Sequence, residues 1–359
     1  MNTGGIAQKL IDFAKILVGR IPGGLAHTNI LGNPLFGSLS GSSVAASVAI
    51  GGVLIPMEEK EGYDKKFAAA VNIASAPTGL IIPPSGILII YPVLAGCSVV
   101  GMIMSGYIPG LMWALACMVV AYVIAKKNHY PTAGKVPASV FFKYFVDAIP
   151  SLLLIVIIVG GVMSGIFTAT ESAAVAVAYT LFLSIVVYRS IKIKDLPKIL
   201  LDACETTAVI TFLIAGSNVM SFVMSFTGLP SAIGNALISV SSNKYVILLI
   251  INLVLLVVGC FMDITPAVLI FTPIFLPVVQ SFGMDPIHFG IMMVMNLGIG
   301  NITPPVGSAL FSGCSVADMD MEDMIKPILP FYAAIFVALM LVAYVPWFSM
   351  ALPTLFGAV

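Results

Sequence analysis

The chain contains two copies of one pattern, 221 residues apart. Residues 54–56, Leu-Ile-Pro, correspond to residues 275–277, Phe-Leu-Pro, and the run 78–86 corresponds to the run 299–307. In each copy the first proline of the later run follows the proline of the first triplet by 27 positions, Pro83 after Pro56 and Pro304 after Pro277. Two apolar halves interrupted at matching positions indicate an internal repeat with a site at the interface between the copies.

The composition is that of an integral membrane protein. Hydrophobic residues make up 60% of the chain, charged residues only 9%, and the mean hydropathy is +1.11. Soluble domains carry about 25% charged residues. The apolar runs are long and continuous rather than alternating in short segments, which predicts spanning α-helices and not a β-barrel. A net charge of zero gives no support to a nucleic-acid partner.

The first copy begins with an amphipathic segment and an interrupted apolar stretch. Residues 5–20 have apolar residues at helical spacing with basic residues between them, which predicts an interfacial helix. Residues 23–57 are apolar but split by the glycine- and serine-rich run 37–43. Each arm is about 14 residues, whereas a spanning helix needs about 20, so we expect a re-entrant hairpin with its tip near mid-membrane. One kinked spanning helix is the alternative interpretation.

A broken helix follows the first hairpin. The stretch 67–94 is interrupted by Pro77-Thr78-Gly79 and again by Pro83-Pro84-Ser85-Gly86. Proline removes a backbone donor and clashes with the preceding turn, so two adjacent prolines near glycines predict an unwound segment.

Four apolar helices are predicted between the two copies, over residues 99–125, 149–168, 171–188 and 200–226. Thr168 and Glu171 form a capping-box pattern at the start of the third of these helices.

The second copy repeats the order of the first. Residues 228–239 resemble the amphipathic segment, residues 245–279 predict a second hairpin with its tip at 259–263, and residues 287–315 predict a second broken helix. A last helix is expected over 327–348, closed by Pro346-Trp347 at a membrane interface. The expected domains are an arm helix (1–22), the first transport unit (23–98), a linking helix and loop (99–148), scaffold helices with a second arm (149–243), the second transport unit (244–316) and a C-terminal helix (317–359).

Basic residues predict opposite orientations for the two copies. The loop at the base of the first hairpin carries Lys60, Lys65 and Lys66, whereas the corresponding loop, 278–286, contains no Lys or Arg. The number of predicted membrane crossings between the loops places two further basic loops on the same side of the membrane as the first. Because basic loops stay in the cytoplasm, the repeats are expected to be inverted. The predicted fold class is an all-α integral membrane protein with inverted repeats, two re-entrant helical hairpins and two unwound helices.

The hairpin tips and unwound segments are expected to gather freed backbone carbonyls at membrane depth, where lipid offers them no hydrogen bonds. Clusters of such hard oxygen atoms suit sodium. Glycine lets carbonyls turn inward, and proline withholds competing donors. We predict one sodium site at Gly37, Ser38, Ser40, Gly79, Ile82, Pro84 and Ser85. We predict a second at Gly259, Gly300, Thr303 and Val306.

Half-helix N-termini at the two tips suit an anionic substrate, because their dipoles are positive. Asp263 is the only acid in either tip. Its side chain is expected to contact an ion or the substrate, to cap the helix that starts near Thr265, or to do both. The candidate substrate residues are Ser42, Ser43, Asp263, Thr265, Asn301 and Pro305.

Nothing in the sequence indicates catalysis or an ATP-driven pump, since it contains no Ser/His/Asp set, Walker loop or pair of catalytic carboxylates. The three histidines lack ligand spacing, and the five cysteines are scattered singly in apolar runs. We therefore expect no cofactor and no metal besides sodium.

Five stretches in this order carry a resemblance to a known family: Ser40-Gly41-Ser42-Ser43, Leu54-Ile55-Pro56, Ile82-Pro83-Pro84-Ser85, the run 164–171 and the run 301–307. They resemble the large membrane subunit, the M or DctM-like component, of tripartite ATP-independent periplasmic (TRAP) transporters, and they cover essentially the whole chain.

The resemblance implies an elevator-type secondary transporter that crosses the bacterial inner membrane several times. It implies sodium-driven uptake of a small organic anion, such as a dicarboxylate or an acidic sugar like sialic acid. A periplasmic binding protein delivers that anion, and a small four-helix membrane subunit, Q, is the constitutive partner within the lipid bilayer. Family ion sites use hairpin tips and unwound helices, and so fall on the residues named above.

Alternatives to this function remain open. The repeat predicts roughly 70 further residues of helix before the first copy, to match those before the second, and the family's subunit also begins with such helices. A truncated or non-transporting scaffold, or another ion-coupled anion transporter of related fold, is therefore an alternative. An intramembrane enzyme is disfavoured because Asp263 has no catalytic partner at depth, and a channel because no filter motif is present.

Overall fold

The computed structural model describes residues 6–132, 138–228 and 243–358, together with the single positions 232, 233, 236 and 241. These residues form helices and connecting turns, with no β-strand among them. Seven of the helical stretches are long and apolar enough to cross a membrane. The predicted class, an all-α integral membrane protein, is confirmed.

The first unit has the predicted order of elements. Its helices are α1 (Ile6–Val18), α2 (Gly24–Ser40), α3 (Ser43–Lys60), α4 (Lys65–Ser75), α5 (Thr78–Ile81) and α6 (Ile87–Ala95). We call α2 and α3, which pack side by side, the first hairpin, and α4 to α6 the first broken helix. The predicted interruptions of the broken helix are confirmed, because α5 is a single turn between two breaks.

The tip of the first hairpin is shorter than predicted. Only Gly41 and Ser42 separate its arms, so residues 37–40 form the last turn of α2 rather than part of a loop. Gly41 ends α2 because it adopts the left-handed conformation, with φ +65°, and its N–H donates to the Gly37 carbonyl at 2.6 Å. The arms are 17 and 18 residues long rather than 14.

The middle of the chain forms α7 (Val99–Ser105), α8 (Tyr107–Lys127), α9 (Ala138–Met163), α10 (Ala169–Phe182) and α11 (Leu196–Thr227). A π-helical turn (Leu183–Val187) extends α10, and a 3₁₀ turn (Ile193–Asp195) precedes α11. The predicted start of α9 at 149 is wrong, because Pro150 lies inside the helix without ending it. The predicted capping box is confirmed: the Glu171 N–H donates to Thr168 Oγ1 at 3.2 Å, and the Thr168 N–H donates to Glu171 Oε2 at 2.8 Å.

The second unit is formed by α12 (Lys244–Phe261), α13 (Ile264–Ser281), α14 (Pro286–Asn301) and α15 (Ser308–Val316). We call α12 and α13 the second hairpin and α14 and α15 the second broken helix. The chain continues as α16 (Met321–Tyr344) and α17 (Trp347–Leu355). Most of the predicted amphipathic segment 228–239 lies outside the described residues.

The predicted C-terminal helix, 327–348, is wrong at both ends. Helix α16 begins at Met321, because Pro327 and Pro330 are accommodated inside it. It ends at Tyr344, and Pro346-Trp347 begins the separate helix α17 instead of closing α16.

The two broken helices lie at the centre of the molecule. Helix α14 is buried from Ile287 to Asn301 without interruption, as is α4 from Phe67 to Ser75. Helix α3 packs on α4 and on α15, whereas α13 packs on α14 and on α6. Each hairpin therefore contacts both broken helices. Helices α9 to α11 carry exposed apolar side chains, and Phe226 is 86% exposed, as expected for a surface that meets lipid.

The bases of the two hairpins provide a test of the inverted orientation. Gly62 and Gly283 have φ values of +88° and +78°, so cysteine is better introduced at their exposed neighbours, Glu61 and Ser281. In cells expressing the chain with the exposed Cys204 changed to Ser, we expect a membrane-impermeant thiol reagent added outside to label S281C and not E61C. The loop that follows the first hairpin carries Lys60, Lys65 and Lys66, whereas residues 278–286 carry no Lys or Arg, and for this reason the first base should face the cytoplasm.

The control is the same background without an introduced cysteine, and permeabilised cells should allow labelling of both variants. Labelling of both variants, or of E61C alone, in intact cells would contradict the predicted orientation.

Candidate functional site

The tip of the first hairpin touches the first broken helix through bare backbone. A Cβ atom placed on Gly37 would lie 2.4 Å from the Cα of Gly79, and one placed on Gly79 would lie 2.3 Å from the Cα of Gly37. No residue larger than glycine fits this spacing without displacing backbone. The contact holds the last turn of α2 against the short helix α5.

The second unit reproduces this contact. A Cβ atom on Gly300 would lie 2.5 Å from the Cα of Gly259, and one on Gly259 would lie 3.1 Å from the Cα of Gly300. Four of the predicted sodium residues are therefore paired by the structure, one pair in each unit. We call these two contacts the glycine contacts.

Near each glycine contact a proline removes the N–H group that would donate the regular helical hydrogen bond to the glycine carbonyl. The residues four positions after Gly79 and Gly300 are Pro83 and Pro304, which have no N–H. In the second unit the Thr303 N–H donates to the Gly300 carbonyl at 2.9 Å, and Thr303 Oγ1 donates to the Ile299 carbonyl at 2.7 Å. A carbonyl oxygen has two lone pairs, so each can still approach a cation.

Hydroxyl groups gather at the first of these contacts. Ser38 Oγ donates to the Leu35 carbonyl at 3.2 Å, and Ser40 Oγ lies 3.4 Å from the carbonyls of Gly37 and Ser42. Ser85 differs from both, because its hydroxyl is buried without a hydrogen-bond partner. A buried polar atom without a partner is costly, and a bound cation would remove that cost. The other two predicted residues, Ile82 and Pro84, are half-buried in the same break.

The second break is tied to its hairpin tip by main-chain hydrogen bonds. The N–H groups of Val306 and Gly307 donate to the Cys260 carbonyl at 3.2 and 3.3 Å. Tyr332 of α16 donates its hydroxyl hydrogen to the Ile302 carbonyl. Val306 thus turns its amide toward the tip and leaves its side chain exposed. No pattern in the sequence indicates this role for Tyr332.

A chain of hydrogen bonds joins the two units at the level of the tips. Asn301, 1% exposed, donates from Nδ2 to Ser43 Oγ at 2.8 Å. Its Oδ1 accepts from the Ser308 hydroxyl and from the Ala309 N–H, the latter at 3.3 Å. Ser308 Oγ also lies 3.3 Å from Asp263 Oδ1. Three predicted substrate residues, Ser43, Asn301 and Asp263, therefore belong to one cluster, and Ser308 is an addition to it.

Asp263 does not cap the following helix. It occupies the residue before α13, but its carboxylate makes no capping hydrogen bond, and its side chain is exposed rather than buried. Ser42 is a cap, since it accepts from the Ala45 N–H at 3.2 Å. Thr265, half-buried, and Pro305, exposed, lie at the second tip and the second break but outside the hydrogen-bonded chain.

Buried asparagines brace both glycine contacts, and the sequence analysis did not select them. Asn33 Nδ2 lies 3.2 Å from Asn72 Oδ1 and 2.9 Å from Ser75 Oγ. In the second unit Asn296 Nδ2 donates to Asn252 Oδ1 at 2.7 Å. The available signal was their position, because all four precede a contact glycine by four or seven residues within an apolar helix.

The described residues hold no group of three or more His, Cys, Asp or Glu side chains that could bind a metal ion. The oxygens at the glycine contacts are backbone carbonyls and hydroxyls. Such neutral, hard oxygen ligands suit an alkali cation better than a transition metal.

Comparison with known proteins identifies close relatives. The family model for the DctM component of tripartite ATP-independent periplasmic transporters matches residues 1–348. The chain is 52% identical to an uncharacterized protein of Salmonella typhimurium, YgiK, over 99% of this chain and 82% of that protein. It is 39% identical to the C4-dicarboxylate TRAP transporter large permease protein DctM of Pseudomonas aeruginosa, over 99% and 84%. It is also 39% identical to the sialic acid TRAP transporter large permease protein SiaM of Vibrio cholerae, over 99% and 83%.

The glycine contacts predict the effect of adding one methyl group. Gly300→Ala should destabilise the purified chain by roughly 1–3 kcal/mol, because the methyl group overlaps the backbone of Gly259. Gly216→Ala is the matched control, since it lies within α11 and its Cβ would meet nothing within 4 Å. That change should be neutral or stabilise by roughly 0.5–1 kcal/mol. Thermal unfolding in detergent measures both, and equal melting temperatures for the two variants would contradict the close contact.

Proposed function

Because the chain belongs to the family of DctM components of tripartite ATP-independent periplasmic transporters, we propose that it takes up a small organic anion together with sodium. Family membership and seven apolar helices indicate a multi-pass protein of the bacterial inner membrane. The relatives with an assigned role are named as transporter permeases, not as enzymes.

The observation that carries the proposal is the hydrogen-bonded chain between the units. Asn301 of the second broken helix reaches Ser43 of the first hairpin, and Ser308 connects it to Asp263 of the second tip. Polar groups converging at a repeat interface are the expected place for a transported solute. In this proposal Ser42, Ser43, Asp263, Thr265, Asn301 and Pro305 contact the substrate.

The proposed substrate class is a carboxylate, either a dicarboxylate or an acidic sugar such as sialic acid. The N-termini of α3 and α13 begin beside the cluster, and their dipoles favour a negative group. The hydroxyls of Ser43 and Ser308 can donate to carboxylate oxygens. Asp263 repels an anion, so its proposed role is to accept from substrate hydroxyls or to help hold the sodium that accompanies the anion.

Sodium is proposed to bind beside each glycine contact. The first site consists of Gly37, Ser38, Ser40, Gly79, Ile82, Pro84 and Ser85, and the unpaired Ser85 hydroxyl supports it. The second consists of Gly259, Gly300, Thr303 and Val306. Both would use oxygens at a helix break, where the regular N–H donor four residues later is a proline and absent.

The proposal also includes two partner proteins and a movement of the transport unit. A periplasmic binding protein would deliver the anion, and a small Q membrane subunit would accompany the chain. The transport unit, residues 23–98 and 244–316, would move as an elevator against residues 99–148 and 149–243. The exposed apolar surfaces of α9 to α11 are consistent with a wall that meets lipid or another membrane subunit.

Sodium binding is testable without knowing the substrate. Sodium chloride should raise the melting temperature of the purified chain relative to choline chloride at equal ionic strength, because a ligand of the native state stabilises it. Thr303→Ala should raise about tenfold the sodium concentration that gives half of the increase in melting temperature. A tenfold loss of sodium affinity corresponds to about 1.4 kcal/mol of binding free energy. Ser85→Ala should act in the same direction at the first site.

Thr207→Ala is the matched control. Thr207 Oγ1 donates to the Ala203 carbonyl, four residues earlier, at 2.7 Å, just as Thr303 Oγ1 donates to the Ile299 carbonyl, but Thr207 lies exposed on α11. It should leave the sodium response unchanged. Equal stability of the wild type in the two salts would refute sodium binding.

The substrate proposal predicts a charge effect at Asp263. Asp263→Asn keeps an oxygen that can accept from Ser308 but removes the charge. In proteoliposomes containing the chain, its small subunit and its binding protein, we expect a roughly tenfold higher KM for the transported anion. Asp202→Asn, an exposed acid on α11, should have no effect. An unchanged KM for Asp263→Asn would remove this residue from the site, and uptake without a sodium gradient would refute the coupling.

A further inference from the structure

Glu58 lies at the base of the first hairpin and has no role in the sites described above. It belongs to the last turn of α3, which is not among the seven candidate spans. Its side chain is 0% exposed, and neither carboxyl oxygen has a hydrogen-bond partner. Its neighbours Glu59 and Glu61 are exposed. Of the three glutamates in this charged stretch, Glu58 is therefore the one that is fully buried.

No cation compensates Glu58. Among the ion pairs of the described residues, Lys15 pairs with Glu61 at 3.9 Å and Lys65 with Glu59 at 4.0 Å, and none includes Glu58. The polar group that faces it is the side-chain amide of Asn29 on α2, whose Nδ2 is also without a partner. The negative charge of Glu61 adds repulsion.

None of the other titratable groups around Glu58 forms an ion pair with it among the described residues. Burial, more than its neighbours, raises the pKa of Tyr63 to about 12, so its hydroxyl is neutral at physiological pH. On α2, His27 is 2% exposed with both ring nitrogens unpaired, which disfavours its charged form. The remaining groups on the elements that pack against α3 are Lys9, Asp12 and Lys15 on α1, Lys65 and Lys66 on α4, and Cys314 on α15. Each of these four lysines forms an ion pair with an acid other than Glu58, namely Asp147, Glu61, Glu59 and Asp323 respectively.

An ionised carboxylate that is fully buried, forms no ion pair and accepts no hydrogen bond is far more costly than the neutral acid. We propose that Glu58 is a proton-binding site of the first hairpin, protonated in this conformation, and that loss of its proton loosens the packing of α3 against α2. The proposal is independent of sodium binding and of the transported anion.

The consequence is a stability that depends on pH in a definite direction. The unfolded chain releases this proton near the ordinary glutamate value of about 4.3. If the native chain holds the proton to a higher pH, the native state binds one more proton than the unfolded state at pH values between the two pKa values. The free energy of unfolding therefore falls as pH rises through that window. It levels off once Glu58 is also ionised in the native state.

The experiment is thermal unfolding of the purified full chain from pH 5 to pH 9 at fixed sodium concentration. Glu58→Gln, which resembles the protonated acid, should remove part of the pH dependence. Relative to this variant, the folded-to-unfolded ratio of the wild type should fall by up to about tenfold per pH unit. Glu59→Gln and Glu61→Gln, the exposed controls, should keep the wild-type slope. Parallel curves for the wild type and Glu58→Gln would overturn the proposal.

Two further outcomes are decisive. If Glu58→Gln abolishes stabilisation by sodium chloride, Glu58 is an ionised cation ligand and the proton site is wrong. If the variant does not fold, infrared spectroscopy of the wild type decides, because exposed carboxyl groups are ionised at pH 7. A protonated carboxyl band at pH 7 that disappears at higher pH is expected, and its absence at pH 7 would overturn the proposal.

Discussion

The approach of bare backbone at the two glycine contacts is the constraint on which the rest of the structure depends. Gly37 against Gly79 and Gly259 against Gly300 leave no room for a Cβ atom, so each hairpin tip seats directly on a broken helix. Without side chains between them, carbonyl groups freed by the breaks come close to polar atoms of the tips. The same spacing supplies both the packing and the oxygen atoms of the proposed ion sites.

Two further kinds of interaction support the glycine contacts: hydrogen bonds between buried asparagines, and packing of each hairpin on the broken helix of the other repeat. Asparagines one or two turns away fix the arm of each hairpin to its broken helix through amide hydrogen bonds. Helix α3 also packs on α15, and α13 also packs on α6, so neither hairpin is confined to its own repeat. Movement of one hairpin would therefore change the environment of both proposed ion sites.

Satisfied and unsatisfied buried groups mark different roles. Asn301 uses both ends of its amide and joins the two units. Ser85 and Glu58 are buried without partners, which is costly unless a ligand completes them. A neutral hydroxyl at a helix break suits a cation, whereas a buried acid without an ion-pair partner suits a proton. The surroundings of each group, rather than its chemical type alone, assign the ligand.

The sequence alone predicted the membrane class, both hairpins, both broken helices and the capping box at Thr168. These features depend on composition and on local backbone chemistry, because proline lacks an N–H wherever it occurs. Helix ends were less predictable, since Pro150 and Pro327 are accommodated inside helices. The predicted tip glycines do meet their partners, whereas the asparagines that brace them were not selected, although their spacing from those glycines is visible in the sequence.

Only the tertiary structure decided the features that depend on which surfaces meet. The bond between Asn301 and Ser43 joins residues 258 positions apart, and no local pattern encodes it. Asp263, at a tip expected to lie at membrane depth, is exposed, whereas Glu58, beside the exposed Glu59 and Glu61, is buried. Burial of a side chain is set by the packing of whole helices, and a charge in the sequence does not indicate which face of its helix will be covered.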